Sequence, residues 1–424
     1  MEFSSMVDKS KMPDSADQIK DRGKDCRGQG NKNGRGYRSL FEPLVQWYKK
    51  GHRDLPWRRT KDPYRIWISE IMLQQTRVEA VIPYYERFLT ALPTIRDLSE
   101  CPEDELLKLW EGLGYYSRAR NLKKAAKVIM ENYGGQMPAG HEAILSLPGI
   151  GPYTAGAISS IAFGLPFSAV DGNVLRILTR VACDGRNIAE EKTKKAITAD
   201  LDRALQEGNW DFGPGDLNQA MMELGATVCL PNGEPKCEVC PWRDRCLSLQ
   251  RGCIHDYPVK SRPKARRIEE RTILLIRDGD RVLLKKRPDR GLLAGLYEFP
   301  GLEGHVSEKA ALEYTRSLGL DPLQVEAGEE AKHIFSHVEW RMTSFIIRVA
   351  SVDFDRKTAP AMTVTGGKTN QNDKVRAGGQ GEIEDRKSES GSPWLLAELD
   401  QARSRYAIPS AFKVYTEYLW GRRK

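Results

Sequence analysis

The sequence lacks any apolar run long enough to cross a bilayer. Its best, residues 155–170, is 16 residues long and holds three serines and a proline. A spanning helix needs roughly 20 apolar residues, so no membrane span is expected. No apolar signal core stands near the start either, where residues 1–36 are polar, and export is not expected. Cysteine is scarce, 8 in 424 residues, which excludes a disulfide-knitted secreted scaffold. Charge of one sign is not in great excess: 66 Lys and Arg against 58 Asp and Glu leave +8. That balance permits an acidic partner such as nucleic acid without requiring one.

What is present divides along the chain. At 424 residues the expectation is two or three domains. Residues 1–36 carry almost no large apolar side chains and read as a disordered tail. Residues 37–258 are helical in pattern: Tyr64, Trp67, Ile68, Ile71 and Met72 recur at helical spacing, as do Leu217, Met221, Leu224 and Val228. Residues 259–270 are basic and proline-bearing, a linker. Strand signals follow in 271–424, at Thr272 to Ile276, Val282 to Leu284 and Ser344 to Val349, with a turn at Asp278-Gly279-Asp280. Helices are expected from Ser307 to Ser317 and from Ala411 to Trp420, and the polar stretch at about 355–392 reads as a disordered insertion. The fold class is thus a mainly α N-terminal domain plus an α+β C-terminal one.

Residues 147–156 read LPGIGPYTAG. Gly149 and Gly151 permit a tight turn and close backbone approach, and Pro152 suits the first position of a following helix. The N–H groups and the positive end of that helix would face one side, as in a hairpin that grips a DNA phosphate. An ordinary helix–helix turn has the same sequence signature.

Two carboxylates stand in telling company. Asp171 lies just before a run in which Val174, Leu175, Leu178 and Val181 mark a helix. Alone it reads as an N-cap. Glu70 lies off the apolar stripe of its helix and alone reads as a solvated side chain. Beside a phosphate-gripping hairpin, the two suit cleavage of a glycosidic bond. One carboxylic acid protonates the leaving group, and one anion faces the oxocarbenium-like transition state.

Cys229, Cys237, Cys240 and Cys246 put four thiols within 18 residues. A structural Zn2+ site and a 4Fe-4S cluster both accept four cysteines. Lys236, Arg243 and Arg245 beside them read either as DNA-backbone contacts or as a solvated rim.

Four segments carry a specific resemblance: WISEIMLQQTR at 67–77, EGLGYYSRARN at 111–121, the hairpin at 147–156 and VDGN at 170–173. In this order they resemble the adenine DNA glycosylase (MutY) family of the helix-hairpin-helix, iron–sulfur glycosylases. The resemblance implies that Glu70 protonates adenine N7 and that Asp171 stabilises the cationic sugar, with Tyr153 and Asn173 in support. Trp57, Arg58 and Gln219 would line the base pocket, although core packing is the plain reading of Trp57 and of Tyr115. Gln75 and Tyr115 would wedge into the stack from which the base is extruded, since the bond cannot be reached inside the duplex. The family also favours 4Fe-4S over Zn2+, although its first cysteine spacing is one residue shorter than here. Related enzymes that nick the strand carry a lysine where this chain has Tyr153, and a phenol cannot form an imine. A monofunctional glycosylase is therefore expected, rather than a pyrimidine-lesion glycosylase/lyase or a catalytically silent lesion binder.

Adenine is an undamaged base, so discrimination must come from the base opposite. GLYEFPG at 295–301 and HIFSH at 333–337 resemble the Nudix-like C-terminal domain of the same family. Phe335, Ser336 and His337 would lie on a loop probing 8-oxoguanine. Oxidation turns guanine N7 from acceptor to donor, and a serine hydroxyl can accept from it. The segment from His305 to Arg316 lacks the glutamate-rich helix that holds Mg2+ in Nudix hydrolases, so no nucleotide hydrolysis is expected. The expected partner is double-stranded DNA bearing A:8-oxoguanine or A:G mispairs, met by a monomer without a membrane. No nuclear-import run or clamp-binding motif stands near the C-terminus, which favours a bacterial cytoplasm over a nucleus or mitochondrion.

Overall fold

The computed structural model describes residues 35–261, 265–350 and 393–421. The polar tail, apart from Arg35 and Gly36, and the insertion at about 355–392 lie outside the described residues. In chain order the helices are α1 (Arg35–Gly51), α2 (Pro63–Leu73), α3 (Val78–Ala91), α4 (Ile95–Glu100), α5 (Glu103–Leu109), α6 (Ser117–Tyr133), α7 (His141–Leu145), α8 (Pro152–Phe163), α9 (Gly172–Ala182), α10 (Glu191–Gln206), α11 (Pro214–Thr227) and α12 (Leu247–Gln250). Strands β1 (Arg267–Asp278), β2 (Arg281–Lys286), β3 (Tyr297–Glu298) and β4 (Gly301–Glu303) follow. After them come α13 (Glu308–Ser317), β5 (Pro322–Ala327), β6 (Ala331–Ile334), β7 (Val338–Val349), β8 (Trp394–Glu398), α14 (Leu399–Arg405) and α15 (Lys413–Leu419). No described helix is long and apolar enough to cross a membrane.

Packing divides the described residues into two units: those of 1–100 with 121–263, and those of 101–120 with 264–424. The segment 101–120 is contiguous with helices on both sides, and a linear reading leaves it in the first domain. Its partners are in the second unit. Glu111 accepts from the Ile408 N–H at 2.8 Å, Lys108 donates to the Tyr406 carbonyl at 3.1 Å, and Asp104 pairs with Lys286 at 2.8 Å. The stretch read as linker is held at both ends. Val259 accepts from the Ile188 N–H at 3.0 Å, and β1 begins at Arg267.

The core of the first unit follows the helical spacing. Phe41, Leu44 and Tyr48 of α1 meet Val174, Leu175 and Leu178 of α9, Leu201 of α10, and Leu217, Met221 and Leu224 of α11. Trp242, from the segment bearing the four cysteines, joins this core, and its indole N–H donates to the Leu40 carbonyl at 2.8 Å.

The second unit is built on an eight-stranded mixed sheet. The order β3-β2-β1-β7-β5 runs along its main path, while β4 pairs with β1, β6 with β7 and β8 with β2. Strands β1 and β7 run parallel, and the other pairs are antiparallel. Alternation sends Ile273 and Leu275 to the face shared with Phe412 and Tyr415, and Leu274 and Ile276 to the face shared with Ala311 of α13. Both faces are covered, which explains the unbroken apolar run at the middle of β1.

Candidate active site

Asp62 caps α2 by accepting from the Tyr64 N–H at 2.8 Å, with Pro63 as its first residue. The helix carries Glu70 inward, leaving it 5% exposed, so the solvated-face reading of this residue is overturned. The stripe at Trp67, Ile68, Ile71 and Met72 is only part of the buried surface, because α2 is covered on more than one side. Burial lifts the Glu70 carboxyl from 4.5 to about 7. A hydrogen bond from Tyr153 and the charge of Arg58 oppose the rise, and Asp171 adds to it. The Tyr153 hydroxyl donates to Glu70 Oε2 at 2.6 Å. Burial and the facing carboxylates hold Tyr153 protonated, well above its ordinary range.

Asp171 is the N-cap of α9, accepting from the Val174 N–H at 2.8 Å. Its other oxygen accepts from Asn173 Nδ2 at 2.7 Å. Burial raises the Asp171 pKa, against these two donors and the Arg176 charge. Arg176, which sequence reasoning passed over, binds Asn173 Oδ1 at 2.8 Å, the Gly225 carbonyl at 2.7 Å and the Cys229 carbonyl at 2.9 Å. Gly225 has a steric reason: a Cβ there would stand 2.6 Å from that of Asn173. Only the polar triplet at 171–173 signals this cluster in the sequence.

Glu223 was also passed over. It accepts from Arg53 Nη2 at 2.7 Å and from Arg58 Nη2 at 2.8 Å. Burial would raise its pKa, but the two guanidinium groups win and carry it down to about 2. Arg58 lies 5.4 Å from the centre of the Tyr48 ring, and the Tyr48 hydroxyl donates to Gln219 Oε1 at 3.3 Å. Trp57 is buried in a short 3-10 turn, edge-on to Tyr85 at 5.5 Å. Thus Arg58, Glu223, Tyr48 and Gln219 form one linked set.

The hairpin between α7 and α8 has Gly149 at φ +76°, where a Cβ would stand 2.5 Å from that of Asn121. Gly151 is the N-cap of α8 and has open space around it. Gln75 and Tyr115, each in its own unit, are non-glycine residues in the left-handed region, at φ 57° and 48°. Both are exposed. Such conformations are strained and concentrate at functional sites.

Cys229, Cys237, Cys240 and Cys246 line one cavity with Arg180, Leu224 and Trp242. None of the four is in a disulfide. Arg180 Nη1 donates to Cys229 Sγ at 3.3 Å. Burial together with the neighbouring sulfurs raises Cys237 and lifts Cys240 to about 12, so thiolates here require compensating positive charge. The loop between Cys229 and Cys237 carries Gly233 at φ +73°, with open space where a Cβ would stand, and residues 231–234 are exposed. Among the described residues no three His, Cys, Asp or Glu side chains converge as ligands of a single ion. Lys236, Arg243 and Arg245 are exposed.

In the second unit, Phe335, Ser336 and His337 form the turn between β6 and β7, closed by the Phe335 N–H donating to the Val338 carbonyl at 2.8 Å. Ser336 and His337 are exposed and Phe335 is half-buried. Tyr115 and Ser336 share a hydrogen bond of 2.9 Å at a cavity of about 580 Å³ that Phe335 and His337 also line.

Residues 68–203 match the HhH-GPD superfamily of base excision DNA repair proteins, and residues 272–415 match the NUDIX domain. A helical unit of the first kind with a sheet unit of the second defines a DNA glycosylase. The chain is 34% identical to the adenine DNA glycosylase of Mus musculus over 440 residues, spanning 90% of this chain and 78% of the relative. It is also 34% identical to the adenine DNA glycosylase of Buchnera aphidicola subsp. Baizongia pistaciae, spanning 70% of this chain and 83% of the relative. A solved thermostable thymine-DNA glycosylase is 30% identical, covering 51% of this chain and 97% of that one, with a TM-score of 0.44. The chain belongs to the adenine DNA glycosylase family.

Proposed function

We propose that this protein removes adenine mispaired with 8-oxoguanine or guanine from double-stranded DNA, leaving an abasic site for base excision repair. One observation carries the reading: a buried carboxylate, Glu70, and a half-buried one, Asp171, with unequal hydrogen bonding. Asp171 receives two donors, from Val174 and Asn173, whereas among the described residues Glu70 receives one, the Tyr153 hydroxyl, and is lifted to about 7. Burial raises both, and the richer donor set at Asp171 favours its anion while Glu70 keeps a proton to give.

Glu70 gives its proton to adenine N7, so the base departs neutral. Asp171, held by Asn173 and the α9 N-terminus, faces the cationic sugar, with or without a transient covalent adduct. Tyr153 positions Glu70 and offers no amine for an imine, which makes the enzyme monofunctional. Trp57, Arg58 and Gln219 receive the extruded base, Gln75 and Tyr115 fill the gap it leaves, and Gly149 and Gly151 hold the phosphate. Phe335, Ser336 and His337 read the opposite base. Cys229, Cys237, Cys240 and Cys246 suit a 4Fe-4S cluster, with Zn2+ as the alternative. Held by these four residues, the cluster would supply the positive charge that thiolates in this partly buried cavity require and would tie the loop together. The enzyme acts as a monomer.

Single-turnover release of adenine from an A:8-oxoguanine duplex tests the reading, with Glu70→Gln and Asp171→Asn alongside. Full rate in either variant refutes its assigned role. Prompt strand breaks before alkali treatment would restore the lyase alternative. A brown absorption band near about 400 nm, with matching iron content, separates the cluster from zinc.

A further inference from the structure

The reading turn is exposed at Ser336 and His337, yet a polar scaffold stands behind it. Trp340, 1% exposed, pairs across the strands with His333 of β6 and, in parallel register, with Glu269 of β1. Its ring stands edge-on to Phe335 at 4.8 Å and 72°, and Phe335 in turn stands 4.6 Å from His333. Glu269 accepts from the Trp340 indole N–H at 2.8 Å, and the Arg271 guanidinium lies 4.2 Å from the Trp340 ring centre. One residue pair further along, the Arg267 N–H donates to the His337 carbonyl at 3.0 Å, and the Arg267 side chain pairs with Glu269.

A tryptophan that merely fills a core needs shape alone. Here a cation on the ring face and an acceptor at the N–H fix its tilt and its rotation separately. Arg271 is drawn from water into a setting of Glu298, Glu269, Glu303 and Arg287, which leaves it charged but poorly hydrated, and a desolvated cation grips an aromatic face more strongly. The Trp340 edge then sets the Phe335 ring, and the exposed pair next to it follows.

We propose that Arg271, Glu269 and Trp340 are positioning residues that set the 335–337 turn and so determine the preference for 8-oxoguanine over guanine opposite adenine. This rests on the reading of that turn given under Proposed function. They touch no substrate and act through Phe335.

The test measures single-turnover adenine release from A:8-oxoguanine and A:G duplexes, with enzyme in excess over duplex but below saturation. Arg271→Met and Glu269→Leu should lower the preference by about threefold or more while leaving the A:G rate unchanged. Arg271→Lys and Glu269→Gln, which keep a cation and an acceptor, should restore it. Equal losses on both duplexes, or failure of the conservative variants to rescue, would mean packing alone and overturn the proposal. Ser336→Ala with His337→Ala serves as the control. If that control lowers the preference and Arg271→Met does not, the support is refuted while the reading stands. If the control itself changes nothing, the reading has failed and the proposal falls with it.

Discussion

The polar groups of the helical unit and those of the sheet unit are handled in opposite ways. Glu70 is buried, Tyr153 and Asp171 are half-buried, Tyr153 donates to Glu70, and all three are shifted in pKa. Ser336 and His337 stay exposed on a three-residue turn. Proton transfer near neutral pH needs a carboxyl displaced from its ordinary range, and burial supplies that displacement. On the proposed reading, probing a base edge needs reach and shape, which suits groups that face outward with Phe335 and Trp340 packed behind them. A strained backbone recurs in both units, at Gln75 in one and Tyr115 in the other.

The sharpest way to break this contrast is at Glu70. Glu70→Gln should lower single-turnover base release by about a thousandfold, and Asp171→Asn by at least about a hundredfold. The same burial has a signed effect on stability. Glu70 is lifted from 4.5 to about 7, so the folded protein keeps a proton that the unfolded chain has lost between those values. Its stabilising contribution is full below pH 4.5 and lost as pH rises through about 7. Glu70→Gln should therefore raise Tm at pH 8, by an amount worth at most roughly 3 kcal/mol, with the gain shrinking towards pH 4.5. The wild-type rate should fall as pH rises past about 7. A flat profile would remove Glu70 as the acid.

A smaller effect is expected at the hairpin. Gly149→Ala forces a Cβ into Asn121 at a positive φ, and should cost about 1–3 kcal/mol of stability and weaken duplex binding in a titration. Tyr153→Phe removes one hydrogen bond to Glu70 and should slow base release about tenfold without creating strand breaks. Smallest of all, Ser336→Ala with His337→Ala should reduce the 8-oxoguanine preference several-fold, on the order of 1 kcal/mol, and spare the A:G rate. If this last pair instead abolished chemistry, the separation between a buried reacting site and an exposed reading site would be lost.

Sequence patterning carried far where local physics decides. The five-residue run from Thr272 is a strand covered on both faces, and the apolar spacing from Leu217 is a helix facing the core. Asp171 caps α9, as its position before that helix suggests, and its charge also reaches Glu70. Glu70 is the opposite case: its own helix shows no reason for burial, because the cover comes from α8, which also carries Tyr153 and is distant in sequence. Glu223 has no local signature, since its partner Arg53 lies 170 residues away, and Arg176 has a nearby partner in Asn173 but takes the Cys229 carbonyl 53 residues away. The membership of 101–120 in the second unit is hidden for the same reason.

The Trp242 side chain has one more consequence. It rises from the middle of the cysteine segment, lines the same cavity as the four sulfurs, and is anchored in the core through the Leu40 carbonyl. On the proposed cluster, loading of the metal centre and closing of the core around this indole would be coupled.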